Sequence, residues 1–106
     1  MPVIPTGFIS QADLANEVGR AVSKLGPEVV RLKHATGGDT DGDPSIFFRV
    51  ILADSVTGDD MLGETVRHIE NVVLDELHPY EHWGLIPYFS YRSESEQATR
   101  HEPEWS

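Results

Sequence analysis

His78-Pro79-Tyr80-Glu81-His82 places two imidazoles and a carboxylate within five residues, with Asp75 and Glu76 just before them. Zinc accepts both ligand types, which makes His78, Glu81 and His82 a candidate divalent-cation set and a possible metal-responsive element. The spacing is not His-Glu-x-x-His, and Pro79 is expected to deny the segment a helical frame that would aim both rings one way. Histidines at a helix C-terminus also have a plain electrostatic role, since they favour the negative end of the dipole. Asp39-Thr40-Asp41-Gly42-Asp43 starts like a calcium loop, with acids at alternate positions. It departs from that pattern where glycine is required, at Pro44, and where a bidentate glutamate is required, at Val50. A solvated turn is the simpler reading.

Catalytic patterns are scarce. No serine lies in a nucleophile-elbow arrangement. Gly37-Gly38 runs into acids that would repel a phosphate instead of leading into a helix that would bind one. Tyr91-Arg92-Ser93-Glu94-Ser95-Glu96 offers polar groups but nothing that positions a base. His34 falls on an inward-facing strand position, where a hydrogen-bonded structural histidine is expected. A small enzyme of unknown reaction stays open as an alternative, because sites assembled in space leave little trace in one sequence. No cofactor is implied.

The elements that would hold these groups follow from periodicity. Ser10 and Asp13 read as a capping-box variant, and Ile9 and Leu14 have the spacing of a hydrophobic staple. Leu14, Val18, Ala21, Val22 and Leu25 then recur on one helical face. Gly26-Pro27 is expected to end that helix, with the glycine as a left-handed cap. Glu28 to Thr36 alternates, with Val30, Leu32 and His34 on one side and Val29, Arg31, Lys33 and Ala35 on the other. After a turn-rich stretch from Gly37 to Pro44, Ser45 to Ala53 is the strongest strand signal, with Ile46, Phe48, Val50 and Leu52 opposite Phe47, Arg49 and Ile51. The two strands read as an antiparallel hairpin.

A loop from Asp54 to Gly58 leads to a helix from about Asp59 to Leu77, striped by Leu62, Val66, Ile69, Val73 and Leu77. Pro79 is expected to end it. A last strand, Leu85 to Arg92, carries Pro87, which points to an edge position or a bulge. The predicted fold class is α+β: a two-layer α-β-β-α-β sandwich, a three-stranded sheet with both helices on one face. Residues 1–92 are read as one domain and residues 93–106 as a mobile acidic C-terminal tail with room for one turn of helix.

Laid side by side, the outward strand faces gather four of the eight basic residues of the chain, Arg31, Lys33, Arg49 and Arg92. They alternate with Phe47, Ile51 and Tyr88. Apolar patches rimmed by charge mark contact sites. The competing reading is that Arg and Lys stems only cover a wet face whose apolar residues serve strand propensity. The expected partner is another protein or a second copy of the chain in a homodimer, two-fold dimers being the commonest assembly. The acidic tail is a further candidate, folding back over the basic face.

Composition bounds these readings. The 18 acids against 8 bases leave a net charge of −10, which opposes binding to phosphate backbones and anionic membranes. Aromatics beside Arg on a sheet resemble single-strand stacking platforms, but the RNP aromatic motif is missing, so nucleic acid is an unlikely partner. With no cysteine, disulfides, thiol catalysis and cysteine–zinc sites are excluded. No apolar run approaches the roughly 20 residues that span a bilayer, and the N-terminal residues do not read as a secretory signal. A soluble, cytoplasmic accessory protein is the expectation. The element order is similar to that of the cytosolic dimerisation domain of cation-diffusion transporters, in topology alone and without a shared motif. The glycine clamp loop of KH-type domains, whose element order is also related, is missing.

The function expected from these residues is a non-catalytic protein-interaction or dimerisation module. Arg31, Lys33, Phe47, Arg49, Ile51, Tyr88 and Arg92 form its contact face.

Overall fold

Ser10 opens the first helix, α1 (Gln11–Ser23), by accepting a 3.3 Å hydrogen bond from the Asp13 amide on its Oγ. The computed structural model describes residues 10–57, 60, 62–100 and 105. Ile9, the proposed staple partner, and Gly58 and Asp59 lie outside the described residues. Leu14, Val18 and Ala21 are buried, as their spacing requires. The helix ends before Gly26. Lys24 caps it in a right-handed conformation, and the Lys24 and Leu25 amides bond back three residues to Ala21 and Val22. That tightened last turn satisfies the end carbonyls, so Gly26 does not adopt the expected left-handed cap.

The remaining elements are β1 (Val29–Gly38), β2 (Pro44–Leu52), α2 (Asp54–Thr57), α3 (Leu62–Leu77), α4 (Pro79–Trp83), β3 (Ile86–Ser93) and α5 (Glu94–Arg100). The sheet order is β1-β2-β3. The first pair is antiparallel and the second parallel, so the sheet is mixed. The parallel pairing follows from the long helical crossover between β2 and β3. Pro87 is accommodated because β3 is an edge strand, as its proline requires.

Ile46, Phe48, Val50 and Leu52 of the central strand pack with Leu14, Val18 and Ala21 of α1 and Ile69, Val73 and Leu77 of α3 into one core. Each large apolar side chain buried there contributes roughly 1.5–3 kcal/mol. The two long helices therefore cover one face of the sheet, as the alternation predicts. Lys24 Nζ, 2.9 Å from Glu76 Oε2, and Arg20 Nε, 3.8 Å from Glu76 Oε1, tie α1 to α3 at their exposed edges. Such exposed pairs add little to stability.

The first strand departs from strict alternation. Val29 pairs with Leu52 and Arg31 with Ile51, which leaves Val30 as the extra residue of a bulge. Val29 and Leu32 thus both pack on the core, while Val30 is 51% exposed. The expected assignment of Val29 outward and Val30 inward is corrected by this bulge, because one inserted residue reverses the facing of everything before it.

Two segments expected as loop or terminus are helical. Asp54–Thr57 forms α2. Pro79 starts α4 instead of denying a helix, occupying a first-turn position where its missing N–H costs nothing. His78 before it is forced out of the right-handed region and sits at φ 45°.

Candidate functional site

The outward face of the sheet is built by cross-strand rows. Ala35, Phe47 and Tyr88 form one row, Lys33, Arg49 and Ser90 the next, and Arg31, Ile51 and Arg92 the third. Every member of the predicted contact set lies on this face, yet its two ends differ in exposure. Tyr88 is 42% exposed, whereas Ile51 is 5% and Arg92 9% exposed. Arg31 is exposed, and Lys33, Phe47 and Arg49 are half-buried.

Trp105 accounts for part of the closed end. It is itself buried, and the Arg92 guanidinium stacks 4.4 Å from its ring centroid. Largely withdrawn from water, this cation–π contact is worth on the order of 1–2 kcal/mol. Arg92 Nη1 also donates to Gln97 Oε1 at 3.3 Å.

Ser93-Glu94-Ser95-Glu96 explains why the chain turns back there. The Glu96 amide donates to Ser93 Oγ and the Ser93 amide to Glu96 Oε1, both at 3.1 Å, a reciprocal capping box. The bond from the Ser93 amide is the main cause that holds the Glu96 carboxyl below its ordinary range. Asp54 locks the start of α5 to α2: its carboxylate accepts from the Ser95 amide at 3.1 Å and the Ser95 hydroxyl at 2.7 Å. Glu94 Oε1 in turn accepts from the Asp54 amide at 3.3 Å. The expected tail thus contributes α5 and Trp105 to the folded unit, while residues 101–104, with Glu102 and Glu104, lie outside the described residues. The S-x-x-E signature at Ser93 was available in the sequence.

The open end is organised by the hairpin between β1 and β2. Phe47 and Tyr88 stack with centroids 5.5 Å apart and planes 16° from parallel. The Tyr88 hydroxyl donates to Asp39 Oδ2 at 2.8 Å, and Asp39 Oδ1 accepts from the Asp41 and Asp43 amides at 2.9 and 3.0 Å. The Tyr88 bond is the main cause that keeps the Asp39 carboxyl below its usual range, and it pushes the Tyr88 phenol up. Gly42, at φ 83°, makes the tight turn. Gly38, Asp39, Thr40, Phe47 and Tyr88 line a shallow depression.

Metal-ligand groups fall differently from the expectation. His78 Nδ1 lies 3.4 Å from Glu81 Oε2, and the His78 and His82 rings are 5.0 Å apart, but the three do not gather their donor atoms within 4.8 Å. The predicted His78, Glu81 and His82 set is therefore not assembled. Among the described residues only Asp39, Asp41 and Asp43 meet that distance. Both Asp39 oxygens already accept hydrogen bonds that build the turn, so the cluster reads as hairpin architecture.

His34 pairs with Phe48 and Tyr91 with Val50, on opposite sides of the central strand. Two strand spacings, about 9–10 Å, keep them from forming one site. Burial lowers the His34 pKa, and this ring makes no hydrogen bond among the described residues, unlike the bonded histidine expected. Burial, and then the 2.8 Å bond from its hydroxyl to Glu70 Oε2, push the Tyr91 phenol far up. A phenol held neutral in this way is no general base.

Among the described residues no helix is long and apolar enough to cross a membrane. No protein-family model matches the chain, and no curated protein or solved structure matches it either.

Proposed function

We propose that the chain is a non-catalytic interaction module that takes an acidic segment of a partner protein on the open end of its outward sheet face. The observation that carries this reading is the Phe47–Tyr88 stack with Arg49 in the adjoining cross-strand row and Arg31 one row beyond. The Arg31 and Arg49 side chains make no hydrogen bond or ion pair among the described residues, although the chain is strongly acidic overall. Stacked rings offer a rigid apolar anchor, and unengaged guanidinium groups beside them recognise carboxylates in a forked geometry. Two copies placed face to face about a two-fold axis would bring Arg31 and Arg49 against one another's arginines, which opposes self-association through this face.

The test titrates isotope-labelled full chain with a synthetic glutamate-rich peptide and follows backbone amide shifts, with light scattering in parallel. Saturable shifts at Arg31, Phe47, Arg49 and Tyr88 are expected. They should be lost in the Phe47→Ala, Arg49→Glu double variant, whose circular dichroism should be unchanged. No shift in the native chain overturns the proposal. So does a two-copy mass that falls to one copy in the double variant, because that assigns the face to self-association.

A further inference from the structure

The closed end of the same face already shows what chemistry the sheet accepts. Ile51 of the central strand and Arg92 of the edge strand are cross-strand partners, and both are buried. Trp105, beyond the end of α5 at Arg100, lies with its ring against the Arg92 guanidinium. The residues preceding it in sequence, His101-Glu102-Pro103-Glu104, include two acids, so the segment that carries the ring is acidic in sequence. A guanidinium stacks on an indole face while its edge N–H groups stay free for acceptors. In this seat Arg92 Nη1 donates to Gln97 Oε1.

We propose that Ile51 and Arg92 form a seat for an aromatic residue in an acidic segment, and that Trp105 is its internal occupant, competing with a partner's segment of the same chemistry. The inference rests on reading the outward face as a docking surface, and it names what that surface takes and how access is controlled. A ligand tethered through a short connection acts at an effective concentration near the millimolar range. An external segment meets only the fraction of molecules whose seat is vacant, and its apparent affinity falls by that fraction. The vacated seat would adjoin the row of Arg49 and, beyond it, the Phe47–Tyr88 stack. A partner segment long enough to follow the sheet would then gain both ends.

The experiment uses labelled full chain and the peptide His-Glu-Pro-Glu-Trp-Ser, read by amide shifts at Ile51 and Arg92. Trp105→Ala should bind the peptide about tenfold more tightly than the native chain, if the internal occupant fills the seat about nine-tenths of the time. Trp105→Phe, which keeps a ring in the seat, should stay close to native behaviour, and circular dichroism checks that both variants fold. The peptide with alanine in place of its tryptophan should bind neither. Equal affinity for the native chain and Trp105→Ala overturns the proposal, and so does equal binding of the alanine peptide. Should Trp105→Ala fail to fold, the two peptides compared on the Trp105→Phe chain decide the matter: the tryptophan peptide alone must produce saturable shifts at Ile51 and Arg92. If the glutamate-rich peptide shifts Phe47 and Tyr88 while the tryptophan peptide leaves Ile51 and Arg92 unmoved in every variant, the seat is removed and the docking face stands. Silence from both peptides removes the docking face itself.

Discussion

The two ends of the outward sheet face are built from the same strands with the same alternation, yet they meet different surroundings. At one end Ile51 and Arg92 are buried and Trp105 stacks on the guanidinium. At the other the Phe47–Tyr88 stack stands at the surface, tied to the hairpin through Asp39. Period-two patterning assigns a side chain to a face, but the burial of that face depends on which other part of the chain returns to it. Here the return is made by α5, held by its capping box and by the Asp54–Ser95 bonds. The two ends thus hold two kinds of apolar residue on one sheet face: those another part of the chain covers and those left at the surface.

The largest expected effect contrasts the two faces of the central strand. Phe48→Ala, in the core and fully buried, should lower stability by about 3–5 kcal/mol in urea unfolding. Phe47→Ala, one residue earlier on the outward face, should cost several-fold less. Equal losses would mean that the outward face is as essential to the fold as the core.

Next comes the closed end. Ser93→Ala removes the hydroxyl that accepts from the Glu96 amide and should cost about 1 kcal/mol. If α5 is what brings Trp105 back, the same variant should shift tryptophan fluorescence to the red, and an unchanged spectrum would uncouple the two. A smaller effect is expected in the pH dependence. His34 is held neutral by burial, so its folded pKa lies below the ordinary value of 6.5. The unfolded chain then takes up the proton first as pH falls. The stability this histidine contributes is complete above 6.5 and is lost progressively below it. His34→Gln should flatten the stability profile in that window.

Asp39 and Glu96 titrate lower. Both are depressed below ordinary carboxyl values of 3.8 and 4.5, so each contributes stability above those values that is lost as pH falls through its folded pKa. The smallest expected effect is at the open end. Asp39→Asn keeps an acceptor for the Asp41 and Asp43 amides, whereas Asp39→Ala removes the acceptor and the Tyr88 partner together. The alanine variant should therefore melt lower than the asparagine variant and free the Tyr88 ring, readable in its aromatic proton shifts. Identical melting of the two would show that the turn does not depend on this side chain.

Much of the core was legible because its residues obey one period each. Leu14, Val18 and Ala21 on a helix, Ile46, Phe48, Val50 and Leu52 on a strand, and Ile69, Val73 and Leu77 on a helix all lie where their spacing puts them. Val29 and Val30 were misassigned because a bulge is one residue of backbone, and two adjacent valines fit either register. The capping box at Ser93 and Glu96 was readable, but a run of acids masked it as a solvated terminus. Pro79 was read as a stop, and α3 does end at Leu77, but its position also suited the start of α4. The His78, Glu81 and His82 set looked dense in sequence, yet a short helix behind a left-handed residue does not gather its three donors.

Taken alone, the sequence determined the class of the fold, the two faces of the central strand and the concentration of arginine and aromatic residues on one of them. These depend on local periodicity and on side-chain type, which neighbouring residues settle among themselves. Tertiary structure decided that the third strand runs parallel, that Trp105 stacks on Arg92 and that only part of the cationic face remains accessible. Those outcomes arise from contacts between residues far apart along the chain. Their free energy depends on which surfaces meet, and no short-range pattern carries that information.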